Sequence, residues 1–154
     1  MVRFESTDAF VKNGQVFIDN PALRSLLPTS YQLELNGDVR ILSLLSTDPP
    51  HILAQQQFTK NEWSIFINLL EAYPHYAPHE QLLASITSLS LTDCRKRIQE
   101  AEQLGMKELK RELKPVHRAL YGIRAKLRDF SPDLKISLIR SLGYALTSSS
   151  EQEL

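Results

Sequence analysis

The 154-residue sequence contains one cysteine, Cys94, and no apolar run long enough to cross a bilayer. A single thiol excludes an internal disulfide framework, and none of the four histidines stands at a zinc-ligand spacing from it. We interpret Cys94 as a structural thiol in a reducing compartment. Charged residues interrupt the first dozen positions, so we expect no secretion signal and a soluble, cytoplasmic protein without a membrane partner.

Signatures of catalysis are also missing. The chain has five glycines and no glycine-rich phosphate loop, and no serine or cysteine stands beside an evident base. His75 and His79 are four residues apart, but Pro74 and Pro78 break the helix that would align them on a metal ion. We therefore expect neither an enzyme nor a metal or other cofactor.

The composition is that of an ordinary globular domain, with 42% hydrophobic and 23% charged residues. The length suits a single domain with a modest core. The pattern of the chain divides it into a β-rich part (1–58), a mainly helical part with a final β-element (59–146) and a polar tail (147–154) that we expect to fray.

Turn signals and β-formers dominate the first part. Asn13-Gly14 and Asn36-Gly37 are hairpin turn signals, and alternating apolar and polar residues flank the second of them. We predict strands over 15–18, 31–35 and 39–45, a short strand over 51–57, and a single helical turn over 20–27.

The apolar period changes from two to about 3.6 after Phe58. Thr59 and Glu62 form a capping-box pattern at the start of the first helix, Pro78 suits the first turn of the second, and Thr92 or Asp93 suits the cap of the third. Predicted helices cover 60–72, 79–86, 92–104, 106–113 and 115–130. Their predicted buried stripes are Trp63, Phe66, Ile67 and Leu70; Leu82, Leu83 and Ile86; Ile98, Ala101 and Leu104; and Val116, Leu120, Ile123 and Leu127.

The last predicted element covers 134–146 and turns at a Gly143-Tyr144 step. Its composition suits either a short hairpin or a single strand that returns to the first sheet. Tyr144 is expected in the core, with Gly143 supplying room beside it.

Positive charge is concentrated near the end of the chain. The whole sequence has a net charge of zero, but residues 114–140 contain 7 Lys and Arg against 2 Asp and Glu, a local net charge of +5. On the helix predicted over 115–130, His117, Tyr121, Arg124 and Arg128 form a second stripe beside the apolar one. Such a stripe is either a solvated helix face or a surface for a polyanion, and the local charge favours the polyanion.

Local motifs resemble the winged-helix DNA-binding domain of OmpR/PhoB-type response regulators, which are bacterial transcription regulators. Phe58-Thr59-Lys60-Asn61-Glu62-Trp63 is similar to that family's Leu-Thr-Pro-Lys-Glu-Phe helix start, and Pro78-His79-Glu80-Gln81-Leu82-Leu83 to its Ser-Arg-Glu-Glu-Leu-Leu. The central helix resembles the recognition helix. The most specific match is Ile139-Arg140-Ser141-Leu142-Gly143-Tyr144-Ala145-Leu146, which resembles the wing ending Val-Arg-Gly-Val-Gly-Tyr-Arg-Leu.

This resemblance implies an α+β winged helix-turn-helix with an N-terminal antiparallel sheet and a C-terminal hairpin wing. It implies a sequence-specific, double-stranded DNA-binding transcription regulator, with helix 115–130 in the major groove and the wing over 134–146 on the backbone or in the minor groove. Arg124 would read base edges, and basic neighbours would contact phosphates. The candidate DNA-binding residues are Lys114, His117, Arg118, Tyr121, Arg124, Arg128, Lys135 and Arg140; Arg140 is otherwise a surface residue at a strand end.

The sequence also departs from the family. We expect no receiver domain, so the phosphoaspartate switch would be absent or on another chain, and residues 87–113 form a helical insertion where the family has a short connection. Gly122 and Ala125 stand where the family commonly has polar or basic residues, and Ala145 stands where it has arginine. These departures favour an alternative, a protein-interaction module that docks on RNA polymerase, a partner regulator or a second copy through the insertion and the central helix.

Overall fold

The computed structural model describes residues 9–12, 15–18, 26–28, 30–131 and 133–148. These residues form five helices and two antiparallel sheets, so the predicted α+β class is confirmed. The strands are β1 (Ala9–Lys12), β2 (Gln15–Ile18), β3 (Tyr31–Asn36), β4 (Ile41–Thr47), β5 (Pro50–Gln57), β6 (Ala77–Pro78), β7 (Leu134–Ile139) and β8 (Gly143–Ser148). The helices are α1 (Lys60–Ala72), α2 (His79–Ser85), α3 (Leu91–Leu104), α4 (Met106–Glu112) and α5 (Lys114–Phe130).

The first sheet is an antiparallel meander in the order β1-β2-β3-β4-β5. Leu33, Leu35, Leu42 and Leu44 are buried on the face that joins the core. β4 begins two residues later than predicted, because Arg40 adopts a left-handed conformation with φ of 57° and extends the turn that starts at Asn36.

The second sheet has the order β6-β8-β7, which confirms the C-terminal hairpin and excludes a single strand returning to the first sheet. β6 was not predicted: Ala77 and Pro78 pair with Tyr144 and Gly143, so Pro78 precedes α2 instead of lying in its first turn. A Cβ at Gly143 would lie 2.0 Å from the Ala77 carbonyl oxygen. Gly143 therefore permits the close approach of β6 and β8.

The hairpin turns before Gly143. The amide of Leu142 donates to the carbonyl of Ile139 at 2.9 Å, and Ser141 holds a left-handed φ of 66°. β8 continues to Ser148, whose side chain is buried, so the predicted tail begins two residues too early. Residues 149–154 of that tail, and residues 20–25 of the predicted helical turn, lie outside the described residues.

The helices follow the predicted pattern with two corrections. The predicted apolar stripes of α1 and α5 are buried. Leu82 and Leu83 of α2 are also buried as predicted. However, Ser90 caps α3, since its Oγ accepts from the Asp93 amide at 3.0 Å, so neither predicted cap residue serves. Leu104 was also predicted wrongly: it is 74% exposed, because Gly105, at φ of 114°, redirects the chain into α4.

The contact between α1 and α5 centres on the buried Glu62. Its carboxylate accepts from the Thr59 amide at 2.9 Å and Thr59 Oγ1 accepts from the Glu62 amide, which confirms the capping box. Lys126 of α5 donates to Glu62 Oε1 at 2.5 Å. A Cβ at Gly122 would stand 1.8 Å from Glu62 Oε2. Gly122 is thus the position where α5 accommodates the carboxylate of α1.

We expect Gly122→Ala to lower the free energy of unfolding by about 1–2 kcal/mol, because overpacking displaces Glu62 from its partners. Elsewhere in a helix the same change stabilises by about 1 kcal/mol. Chemical denaturation of Gly122→Ala in the wild-type and Glu62→Ala backgrounds checks this. In the Glu62→Ala background the substitution should stabilise, and equal effects in both backgrounds would contradict the account.

Candidate nucleic-acid interface

The eight candidate DNA-binding residues lie on α5 and on the β7–β8 hairpin, but the structure divides them between several environments. Three lie together where the last turns of α5 meet β7, two lie at the start of α5 beside α4, and His117 is half-buried near His79 of α2. Tyr121 and Arg140 are exposed and lie apart from these groups, and Tyr121 as a whole residue is 77% exposed.

Arg124, Arg128 and Lys135 form what we call the hairpin cluster. All three residues line a depression of about 230 Å³ where the last turns of α5 meet β7. Arg124 and Arg128 are four residues apart and therefore project from the same side of α5. Lys135 is exposed on β7 between the buried Leu134 and Ile136, because side chains alternate between the two faces of a strand.

Arg124 also connects α5 to the second sheet through a hydrogen bond and a contact with an aromatic ring. Its Nη2 donates to the Ile136 carbonyl oxygen at 3.2 Å, and its guanidinium carbon lies 5.7 Å from the centroid of the Tyr144 ring. A guanidinium has five N–H donors, so this bond leaves others for a ligand. These two contacts restrain the exposed Arg124 side chain, and a restrained donor can recognise a ligand acceptor in one direction.

His79 and His117 lie close to Arg124, and His79 contacts the same Tyr144 ring as Arg124 does. The His79 ring meets the Tyr144 ring edge-on with centroids 5.5 Å apart, and His79 Nδ1 is buried without a hydrogen-bond partner among the described residues. Burial lowers the pKa of His79, and His117 adds to that effect against the opposing influence of Glu80 and Glu102. Burial, then the charges of Arg124 and Lys110, lower the pKa of His117.

Lys114 and Arg118 lie at the start of α5, the end away from the hairpin cluster. They line a cleft of about 400 Å³ together with Arg111 of α4 and the start of α1. Arg111 was not among the candidate residues. Its spacing to Lys114 and Arg118, i, i+3 and i+7, was the signal, but the helices predicted over 106–113 and 115–130 did not place the three residues on one helix.

Two of the three residues that depart from the family's pattern do not lie on the solvent-facing surface of α5 and the hairpin, so they remove no contact with a ligand there. Gly122 is half-buried against Glu62, and Ala145 is buried in β8 opposite Ser137. Only Ala125 lies on the outward side of α5, where it is half-exposed between Tyr121 and Arg128. Gly122 is thus a packing position against α1 and not a lost contact on the outer face.

Among the described residues, no group of three or more His, Cys, Asp or Glu side chains is placed to hold a metal ion. None of the described helices combines the length and apolar character that a membrane span requires. Comparison with protein-family models, with curated proteins and with solved structures gave no match.

The two lowered histidine pKa values predict a pH dependence of stability. Below about pH 6.5 the unfolded chain takes up protons that the folded chain resists, so the free energy of unfolding should fall as the pH falls. Denaturation at a series of pH values checks this. The double variant His79→Gln and His117→Gln should show a shallower fall.

The matched control is His75→Gln, because His75 is exposed in the segment between α1 and β6. This variant should keep the wild-type pH dependence. An equal loss of pH dependence in the control and the double variant would contradict the assignment to His79 and His117.

Proposed function

We propose that the protein binds double-stranded DNA and acts as a sequence-specific transcription regulator. The observation that carries the proposal is the hairpin cluster, where Arg124 and Arg128 of α5 and Lys135 of β7 line one depression. Helix and hairpin thereby bring three cations together at one depression, and such a group suits a polyanion better than isolated surface charges do.

The order of elements supports a winged-helix reading. A sheet precedes α1, a two-residue strand separates α1 from α2, and the long α5 precedes a hairpin that pairs with that short strand. In this reading α5 is the recognition helix and the β7–β8 hairpin is the wing. The helices α3 and α4 are then an insertion between the second helix and the recognition helix.

The surface residues suggest a division of roles. Arg124, held by Ile136 and Tyr144, is suited to a base edge in the major groove, because its remaining donors have a fixed direction. Arg128 and Lys135 flank it and suit phosphate contacts. The exposed Tyr121 adds a polar tip on the helix, and Arg140, in the hairpin turn, suits the backbone or the minor groove.

The first experiment is selection of genomic fragments by the purified protein at two salt concentrations. We expect enriched double-stranded fragments, with fewer retained at higher salt because counterions compete for the phosphates. A complete lack of enriched fragments at low salt would contradict the proposal.

An enriched duplex then permits a test of the hairpin cluster. Arg128→Gln with Lys135→Gln should weaken binding and reduce the slope of log affinity against log salt by about 1.8, since each phosphate contact contributes about 0.9. The charge-matched control is Lys96→Gln with Lys107→Gln, two exposed positions on α3 and α4. Equal affinities for the cluster variant and the control would contradict the assignment of this face.

A second candidate function is a protein-interaction module that uses the α3–α4 insertion. Leu104 and Met106, on either side of Gly105, are 74% and 69% exposed, and Leu91 is 44% exposed. Adjacent exposed apolar side chains are typical of a contact surface. The candidate partners are RNA polymerase, another regulator or a second copy of the chain.

The homodimer form of this alternative has a direct test. If these side chains form a dimer interface, the wild-type protein should sediment as a dimer, and Leu104→Ser with Met106→Ser should sediment as a monomer. Because both side chains are exposed in the single chain, the double variant should keep the wild-type far-UV circular dichroism spectrum. A wild-type monomer at micromolar concentration would contradict the homodimer.

A further inference from the structure

A cleft lies between α4, the first turns of α5 and the start of α1, at the end of α5 away from the hairpin cluster. Its volume is about 400 Å³. We call it the α4–α5 cleft. The polar and charged side chains that line it are Thr59, Asn61, Glu62, Arg111, Lys114 and Arg118.

The charges in this cleft do not cancel. Its carboxylate, Glu62, is already engaged by the Thr59 amide and by the Lys126 ammonium at 2.5 Å. Arg111 has an exposed partner on its own helix, Glu108, at 3.4 Å, and exposed pairs of this kind contribute little. Lys114 and Arg118 form no ion pair with any described residue.

We propose that the α4–α5 cleft binds a phosphate group. Three cations from two helices surround one concave space, and two of them are guanidinium groups, which match phosphate oxygens in a bidentate manner. Thr59 and Asn61, which are neutral and polar, also line the cleft. Arg111 belongs to the α3–α4 insertion, so the insertion supplies part of the site.

Two sources of the phosphate fit this position: a free phosphorylated small molecule and the backbone of the duplex in the proposed function. The volume lies in the range of small-ligand sites. For a duplex, the helical rise places Arg118 and Arg128 about 15 Å apart along α5, and they project toward different sides of it. The cleft and the hairpin cluster would then contact phosphates on the two strands that border a major groove.

The first arm of the test uses inorganic pyrophosphate and the full chain, followed by calorimetric titration. The wild-type protein should bind one pyrophosphate saturably, and Arg111→Gln with Arg118→Gln should weaken binding by about a hundredfold, since each of the two lost bonds to a charged group costs about tenfold. Lys96→Gln with Lys107→Gln has the same change in charge and should bind as the wild type does. All three proteins should share one thermal midpoint, because the substituted side chains are exposed.

The second arm uses an enriched duplex and rests on the proposed function. A loss of duplex affinity in Arg111→Gln with Arg118→Gln, beyond that of the charge-matched control, assigns the phosphate to DNA. A loss of pyrophosphate binding alone assigns it to a free anion. Wild-type behaviour of this variant in both arms would overturn the proposal.

Failure of this proposal is distinguishable from failure of the proposed function. If the hairpin-cluster variant loses duplex affinity and the cleft variant keeps both activities, DNA binding stands and the cleft proposal falls. If the wild-type protein binds no duplex, the proposed function falls, and the pyrophosphate arm alone decides whether the cleft binds phosphate.

Discussion

The arrangement of α5 depends on one buried carboxylate, that of Glu62. It closes the capping box with Thr59, binds Lys126, and occupies the space that a side chain at Gly122 would fill. Lys126 in turn lies 5.5 Å from the centroid of the Phe58 ring, which stacks on Phe66 in the core. Because a half-satisfied buried carboxylate is costly, these partners hold the two helices in one register.

That register determines which side chains of α5 remain available to a ligand. With Val116, Leu120, Ile123 and Leu127 buried and the Gly122–Lys126 side committed to α1, the remaining surface carries the cations. Arg124 fastens one end of this surface to the second sheet, and Arg111 of α4 stands beside its other end. The positive charge of residues 114–140 is therefore divided between the start of α5, its last turns and the β7–β8 hairpin, while Lys126 is committed to Glu62.

Sequence patterns predicted most of the helices and the hairpin, because capping residues, prolines and apolar periodicity are local signals. The Thr59–Glu62 capping box and the buried stripe of α5 are examples. The β6 strand was missed because two residues are too few to show a periodicity. Its pairing with β8 also depends on Gly143, which has no side chain to block the approach and lies 66 residues from Ala77 in the sequence. The role of Gly122 was missed for the same reason: a helical wheel shows an empty position but not the carboxylate that fills it. Charge counts located the basic region, whereas the grouping of Arg111 with Lys114 and Arg118 required the fold.

The central claim is that α5 and the β7–β8 hairpin contact double-stranded DNA. The most direct measurement is a backbone amide NMR titration of the labelled protein with an enriched duplex, at low salt and again at higher salt. The account predicts salt-dependent shifts concentrated on the exposed side of α5 and on the hairpin around Lys135 and Arg140, with the exposed face of the first sheet unchanged. Shifts confined to α3 and α4 around Leu104 and Met106, or no shifts at low salt, would contradict it.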